Sequence, residues 1–317
     1  RSTLFPYTTL FRSPYRFRAA EESMSDATQL NNVLAGFKVQ RVAPHFELPQ
    51  RVLAERADAV RSARAKVSSD YAKGGFVQIV PEKSADAAAI AKRLAKSDLI
   101  WTAYVAPRPV PASINTGTSA GSRNFEPAQG YLHSAPSGIG AAHIWSTAGG
   151  RGRGITVCDI EGNWNFKHED LPAGINLIGG TIINDVGWRN HGTAVLGEIV
   201  SKSQEFGTVG IARDAKAVVH SAVINNVFNT AGAIAGATAK LKAGDVILIE
   251  LQATGPNNKY VAMQYWPDVF AAIVAATAKG ITVVEAAGNG NENFSLPIFN
   301  GSGLQKDSGA IVYMEIG

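Results

Sequence analysis

The sequence predicts an α/β protein with a mostly parallel sheet, preceded by a small α+β domain. Three observations carry this. From residue 128 onward, short and nearly continuous apolar runs alternate with helix-patterned stretches, as parallel strands covered on both faces require. The chain has 317 residues, 45% hydrophobic and 18% charged with 32 glycines, enough for one large core and a second small one. Residues 75–105 read strand, helix, strand by themselves, and a proline-rich stretch separates them from the rest of the chain.

In order, residues 1–23 read as a non-native leader. Thr3-Leu4-Phe5-Pro6-Tyr7 nearly recurs from Thr9, the stretch stays outside the expected fold, and Met24 is the expected start. Residues 24–106 form the small domain. Within it 48–67 is expected to be helical, Gly75 to Val80 alternates as a strand, and Pro81 stops it. Ser84 or Asp86 can cap a helix reaching Lys96, with Ala87, Ile90, Ala91 and Leu94 on one face, and Leu99 to Val105 is a second strand. Residues 107–127 are a linker stiffened by Pro107, Pro109 and Pro111. The segment Gly117-Thr118-Ser119-Ala120 mimics a nucleophile signature but lies in this polar stretch without a buried helix after it.

The large domain covers 128–317. Strands are expected at 154–160, 215–223, 245–251 and 280–287, with one more beginning at 310. Helices are expected at 191–200, 231–241 and 261–279, the last interrupted near Pro267. Asn190 is the expected cap of the first of these helices, which puts His191 in its first turn.

Charge and cysteine usage exclude several functions. The net charge is +4, but the basic residues before 110 are mixed with acids and alanines, as on solvated helix faces, so no nucleic-acid partner is expected. Cys158 stands alone, which rules out an internal disulfide and a cysteine zinc cluster within the chain. No apolar run reaches a membrane span, and no membrane partner or signal peptide is read. Gly150 to Gly154 is glycine-rich but precedes its strand, the wrong context for a dinucleotide fingerprint.

Asp159 ends one strand, His191 opens a helix, and Asn289 follows another strand. In parallel sheets these ends form the ligand-binding edge. An acid can fix an imidazole tautomer, the imidazole can take a proton from a hydroxyl, and an amide can donate to an oxyanion.

Four stretches together resemble the subtilisin-like serine peptidases. Val157-Cys158-Asp159-Ile160-Glu161-Gly162 with His168-Glu169-Asp170-Leu171 is similar to the Asp motif, and Asn190-His191-Gly192-Thr193 to the His motif. Val209-Gly210-Ile211-Ala212 comes next as the usual turn, and Ala286-Ala287-Gly288-Asn289 resembles the oxyanion motif. The resemblance covers about residues 128–312. It implies a three-layer subtilisin-like fold and an endopeptidase acting on protein or peptide substrates. Asp159 and His191 would be catalytic, with Asn289 as oxyanion donor and Glu250, Leu251, Ala286, Ala287 and Gly288 along the substrate. It further implies that the small domain is an intramolecular propeptide processed within the linker, that the protein is secreted, and that calcium can bind near Gln204 to Gly207.

The sequence also departs from that pattern. The Gly-Thr-Ser-x-Ala nucleophile is absent; Ser295, Ser302 and Ser308 lack its context, so the frame is expected to be truncated and the chain silent alone. A non-catalytic pseudopeptidase or binding domain is the alternative. Glu161 stands where the motif carries Ser or Thr, and Glu250 and Glu285 add acids near the expected mouth, where either could favour a basic substrate residue. No metal ligand set is assigned, since the Gln204 to Gly207 loop offers one carboxylate and calcium takes six to eight oxygens.

Overall fold

The computed structural model describes residues 8–12, 32–44, 76–97, 100–111, 123–202 and 204–313. The helix expected at 48–67 and the segment Gly117 to Ala120 lie outside the described residues.

The small domain is a four-stranded antiparallel sheet. Its strands are β1 (Thr8–Arg12), β2 (Val39–Pro44), β3 (Phe76–Pro81) and β4 (Ile100–Val105), in the order β2-β3-β1-β4. Helix α1 (Asp86–Leu94) lies on one face and buries Ala87, Ile90, Ala91 and Leu94 at helical spacing. Ile90 and Leu94 meet Ile79 and Leu34 in the small core. β1, from the stretch expected to lie outside the fold, sits between β3 and β4 and pairs with both. Its Thr8, Thr9 and Phe11 are β-forming residue types.

The linker begins with β5 (Val110–Pro111), which runs antiparallel along β12 (Leu251–Thr254) of the large domain. Val80, Ala106 and Val227 pack between the two domains.

The large domain has short helix α2 (Ala141–Trp145) and then a six-stranded parallel sheet. Its members are β6 (Thr156–Glu161), β7 (Asn176–Gly179), β8 (Lys216–Ser221), β11 (Val246–Ile249), β14 (Thr282–Ala286) and β15 (Ile311–Tyr313). The order is β15-β14-β11-β6-β8-β7. A hairpin of β9 (Val223–Ile224) and β10 (Val227–Phe228) comes after β8, and β13 (Tyr260–Ala262) pairs with β12. This is the α/β architecture with a parallel sheet that the alternation of the sequence predicts.

Helices cover both faces. On one lies α3 (Val186–Val200), whose Leu196 and Val200 pack with Ala217, Val219, Leu171 and Trp164. On the other lie α4 (Thr230–Lys240) and α5 (Pro267–Ala278), which enclose Ile160, Ile247, Ile249 and Val283 with Ile234 and Ile273. Each such fully buried aliphatic side chain contributes about 1.5–3 kcal/mol relative to exposure. Two helix starts in the large domain differ from expectation, and in the small domain Ala85, without a side-chain bond, takes the cap position expected for Ser84 or Asp86. Asp185, not Asn190, caps α3, accepting from Trp188 N at 3.0 Å, so His191 stands in the second turn. α5 begins at Pro267 rather than being interrupted there, because a first-turn residue needs no amide hydrogen.

Glu285 lies on the α4/α5 face, in register with Ile249, and is fully buried. It accepts from Gln264 N at 3.2 Å, while its other oxygen has no partner among the described residues. It therefore faces away from the surface where a substrate acid was expected. Burial is the main cause pushing its pKa up to about 8, against the backbone donors of Gln264 and Met263. With the folded value above the ordinary 4.5, the fold binds the proton more tightly than the unfolded chain does. Stability is then fullest below about pH 4.5 and declines until about pH 8 by about 1.4 kcal/mol per unit. Glu285→Gln is expected to remove this slope and to be the more stable protein at pH 8, as checked by urea unfolding at pH 5 and pH 8.

Candidate active site

The end of β6 supplies two carboxylates to one face. Side chains alternate along a strand, so Asp159 and Glu161 both point toward α3, while Cys158 and Ile160 point into the opposite core. Both acids are 0% exposed and His191 is 4% exposed.

Glu161 Oε1 is hydrogen-bonded to His191 Nδ1. Asp159 is turned elsewhere: its Oδ2 accepts from Trp164 Nε1 at 2.7 Å. This corrects the expectation that Asp159 is the acid on His191. Glu161 lies one pleat further toward the sheet's carboxyl edge and has one more methylene, so its carboxylate reaches the helix residue first. The signal was present in the sequence: a second acid, two residues on, at the last position before Gly162.

The loop after β6 fixes α3 in place. Asn165 N donates to Thr193 Oγ1 at 2.8 Å, and Thr193 Oγ1 donates back to Arg189 O. Asn163 Nδ2 donates to Ile183 O at 2.7 Å, ahead of the helix. Gly192 lets the helix lie flat on this loop; a Cβ there would meet Asn163 O at 2.5 Å and the Trp164 ring at 2.7 Å. His191 is thereby held on two sides, by the loop and by Glu161.

Electrostatics here stem from burial. Desolvation, then the charge of Glu161, raises the pKa of Asp159, and the Trp164 N–H and His191 oppose this. Desolvation, then Glu250, raises that of Glu161. Glu250 comes directly after β11, the neighbour of β6, and accepts from the Tyr313 hydroxyl on β15. Burial and the Glu250 charge hold that hydroxyl protonated well beyond its ordinary range.

Asn289 lies beyond the same edge of the sheet, two strands from β6, about 10 Å across the ladder. It is exposed, and its N donates to Gln252 Oε1 at 2.7 Å. Gly288 before it has φ +92°, and a Cβ there would meet the Val261 backbone at 2.9 Å. Ala286 and Ala287 are buried, and Leu251 is buried at the start of β12. The later serines are in local structural roles: Ser302 caps a short turn, and Ser308 Oγ donates to Gln264 Oε1 at 2.7 Å.

Asp170 gathers hydrogen bonds beside the Gln204 to Gly207 loop. Asp170 accepts from Gln204 Nε2 and Thr208 N, each at 2.9 Å, and from Thr208 Oγ1 at 3.3 Å. Its oxygens face hydrogen-bond donors, and among the described residues no group of three or more His, Cys, Asp or Glu is arranged to hold a metal.

The chain is 30% identical over 166 residues to an intracellular serine protease of Paenibacillus polymyxa, covering 48% of this chain and 46% of that protein. It thus spans about half the length of this curated relative. No family model matches. Similar solved structures include fervidolysin from Fervidobacterium pennivorans, described as a keratinolytic enzyme related to subtilisin. It is 16% identical with a TM-score of 0.46 over 90% of this chain and 40% of that one. Another is the epidermin leader peptide processing serine protease of Staphylococcus aureus, 14% identical with a TM-score of 0.45 over 89% and 60%. The serine-protease relative, with the parallel α/β sheet, supports the subtilisin-like serine peptidase that the motifs resemble.

Gly192→Ala is expected to push α3 off the Trp164 loop and cost about 1–3 kcal/mol, as overpacking does. Thermal unfolding of the variant checks this.

Proposed function

We propose that this chain carries the acid–base half of a subtilisin-like serine endopeptidase. The observation that carries the reading is the buried hydrogen bond between His191 Nδ1 and Glu161 Oε1 at the carboxyl edge of a parallel sheet. Glu161 holds one tautomer of His191 and stabilises its cation, the role the resemblance implies for Asp159. His191 takes the proton of a serine hydroxyl through Nε2 and returns it to the leaving amine. The Asn289 side-chain amide donates to the tetrahedral oxyanion. That serine belongs to a Gly-Thr-Ser-x-Ala context, which residues 290–317 do not contain, and on this reading residues 1–317 alone cleave nothing.

Protein or peptide substrates would lie along Leu251 and Gln252 and beside Ala286 to Gly288. Support comes from β5, which lies there as an extended strand: Val110 is in register with Gln252 and Pro111 with Leu251. Gln252 Nε2 donates to Pro111 O at 3.2 Å while its Oε1 takes Asn289 N, so one side chain joins the linker to the oxyanion loop. The small domain then acts as an intramolecular propeptide whose tail occupies the substrate path, and processing falls just after it. Glu250, which accepts from the Tyr313 hydroxyl, adds to the negative charge around Glu161 and Asp159. The resemblance implies secretion, while the Paenibacillus relative is named intracellular; fractionation of the producing cells distinguishes the two.

In the full-length gene product, Glu161→Gln is expected to lower peptide turnover by about 10²–10⁴ and His191→Ala by at least as much. Undiminished turnover in both would overturn the reading, as would an intact gene without the serine context. N-terminal sequencing of the mature protein is expected to place its start between residues 112 and 127; a start before Val110 would remove the propeptide assignment.

A further inference from the structure

Gln252 carries a buried amide whose two ends face different parts of the proposed machinery. Side chains alternate along β12, so Leu251 and Ala253 enter the apolar core while Gln252 points to the other face. It is 2% exposed with the linker strand in place, so both ends of its amide need partners. Oε1 accepts from Asn289 N at 2.7 Å, and Nε2 donates to Pro111 O at 3.2 Å. The partners fix which end is which, because Asn289 N can only donate and Pro111 O can only accept.

Asn289 needs such a hold. The glycines on either side of it rest on β13: a Cβ on Gly288 would meet the Val261 backbone at 2.9 Å, and one on Gly290 would collide with Tyr260 O. Asn289 itself is exposed, and Gln252 ties down its peptide N–H. The direction of that peptide sets where the Asn289 side chain starts, and an oxyanion donor acts only when it is aimed in advance.

We propose that Gln252 binds the substrate main chain and positions Asn289 with one side chain: once the linker leaves, Nε2 donates to the peptide carbonyl that takes the place of Pro111 O, while Oε1 keeps its hold on Asn289 N. This role rests on the peptidase reading and adds to it a contact that is blind to substrate side chains, since every residue has a carbonyl. The linker strand is the template. Val110 stands opposite Gln252 and Pro111 opposite Leu251 in an antiparallel pair, so a peptide entering the same way presents a carbonyl at the same height. Pro111 has no amide hydrogen to give to β12, and the bond from Gln252 to its carbonyl is one that a proline can still make.

In the processed full-length gene product, Gln252→Ala is expected to lower kcat about tenfold, less than the about 10²–10³ that follows loss of an oxyanion donor itself. It is also expected to raise KM about 3- to 10-fold, as loss of one hydrogen bond does. In an Asn289→Ala background the kcat effect is expected to vanish and the KM effect to remain. A linker-derived peptide with a thioamide in place of the Pro111 carbonyl is expected to raise KM for the unmodified enzyme, with no further rise for Gln252→Ala. An equal kcat loss with and without the Asn289 side chain, or a thioamide penalty that survives in Gln252→Ala, overturns the proposal.

A second measurement needs no cleavage: amide hydrogen exchange of residues 1–317 followed by NMR. Gln252→Ala is expected to speed exchange at Asn289 N–H at least about tenfold. Ala287 N–H, bonded to Tyr313 O at 2.8 Å, is expected to keep its rate and reports that the variant is folded. Unchanged exchange at Asn289 overturns the proposal even in an active peptidase. A gene product that cleaves nothing overturns the peptidase reading and with it the substrate contact, while exchange still decides the hold on Asn289.

Discussion

A histidine and a glutamate buried together at the end of a central strand set the terms for everything around them. Neither Glu161 nor His191 has solvent to fall back on, so their hydrogen bond must be made and kept by the fold. That requires α3 to cross β6 at one height. Asp185 starts the helix at the right residue, Gly192 lets it lie against Trp164, and the Asn165–Thr193 contact ties helix to loop. Removing one partner of such a pair leaves the other desolvated and alone, which is why site geometry and local stability are the same question here.

The sheet makes this arrangement possible by separating its two faces. The α4/α5 face is nearly all apolar, with Ile160, Ile247, Ile249 and Ile273 at its centre, and supplies much of the burial. The α3 face carries Asp159 and Glu161 on β6, the strand flanked by β11 and β8. Apolar packing on one side supports polar groups on the other. Glu285 and His220 are polar exceptions buried on the apolar side, and burial favours the neutral form of Glu285.

Because all six strands are parallel, the segments that leave their carboxyl ends gather at one edge. Glu161, Glu250 and Asn289 come from three different strand ends and share that edge, and β12 leaves it to meet the linker. Gln252 is placed between the linker strand and the Asn289 loop by this geometry alone, since 141 residues separate it from Pro111.

The sequence by itself determined the parallel α/β class, the helix faces of α1 and α4, and the residue types gathered at the strand ends. Those features rest on local periodicity and on the fixed chemistry of each side chain. It also put Asp159 and Glu161 on one face, since alternation fixes the face of a strand residue. Tertiary structure decided which of the two meets His191, because that depends on where α3 crosses β6, and the crossing is set by contacts far apart in the chain. The same non-local packing turned Glu285 away from the site, drew Thr8–Arg12 into a sheet, and laid Val110–Pro111 along β12. The stretch around His191 was legible as chemistry from its residues; its partner was a matter of distance, and distance belongs to the fold.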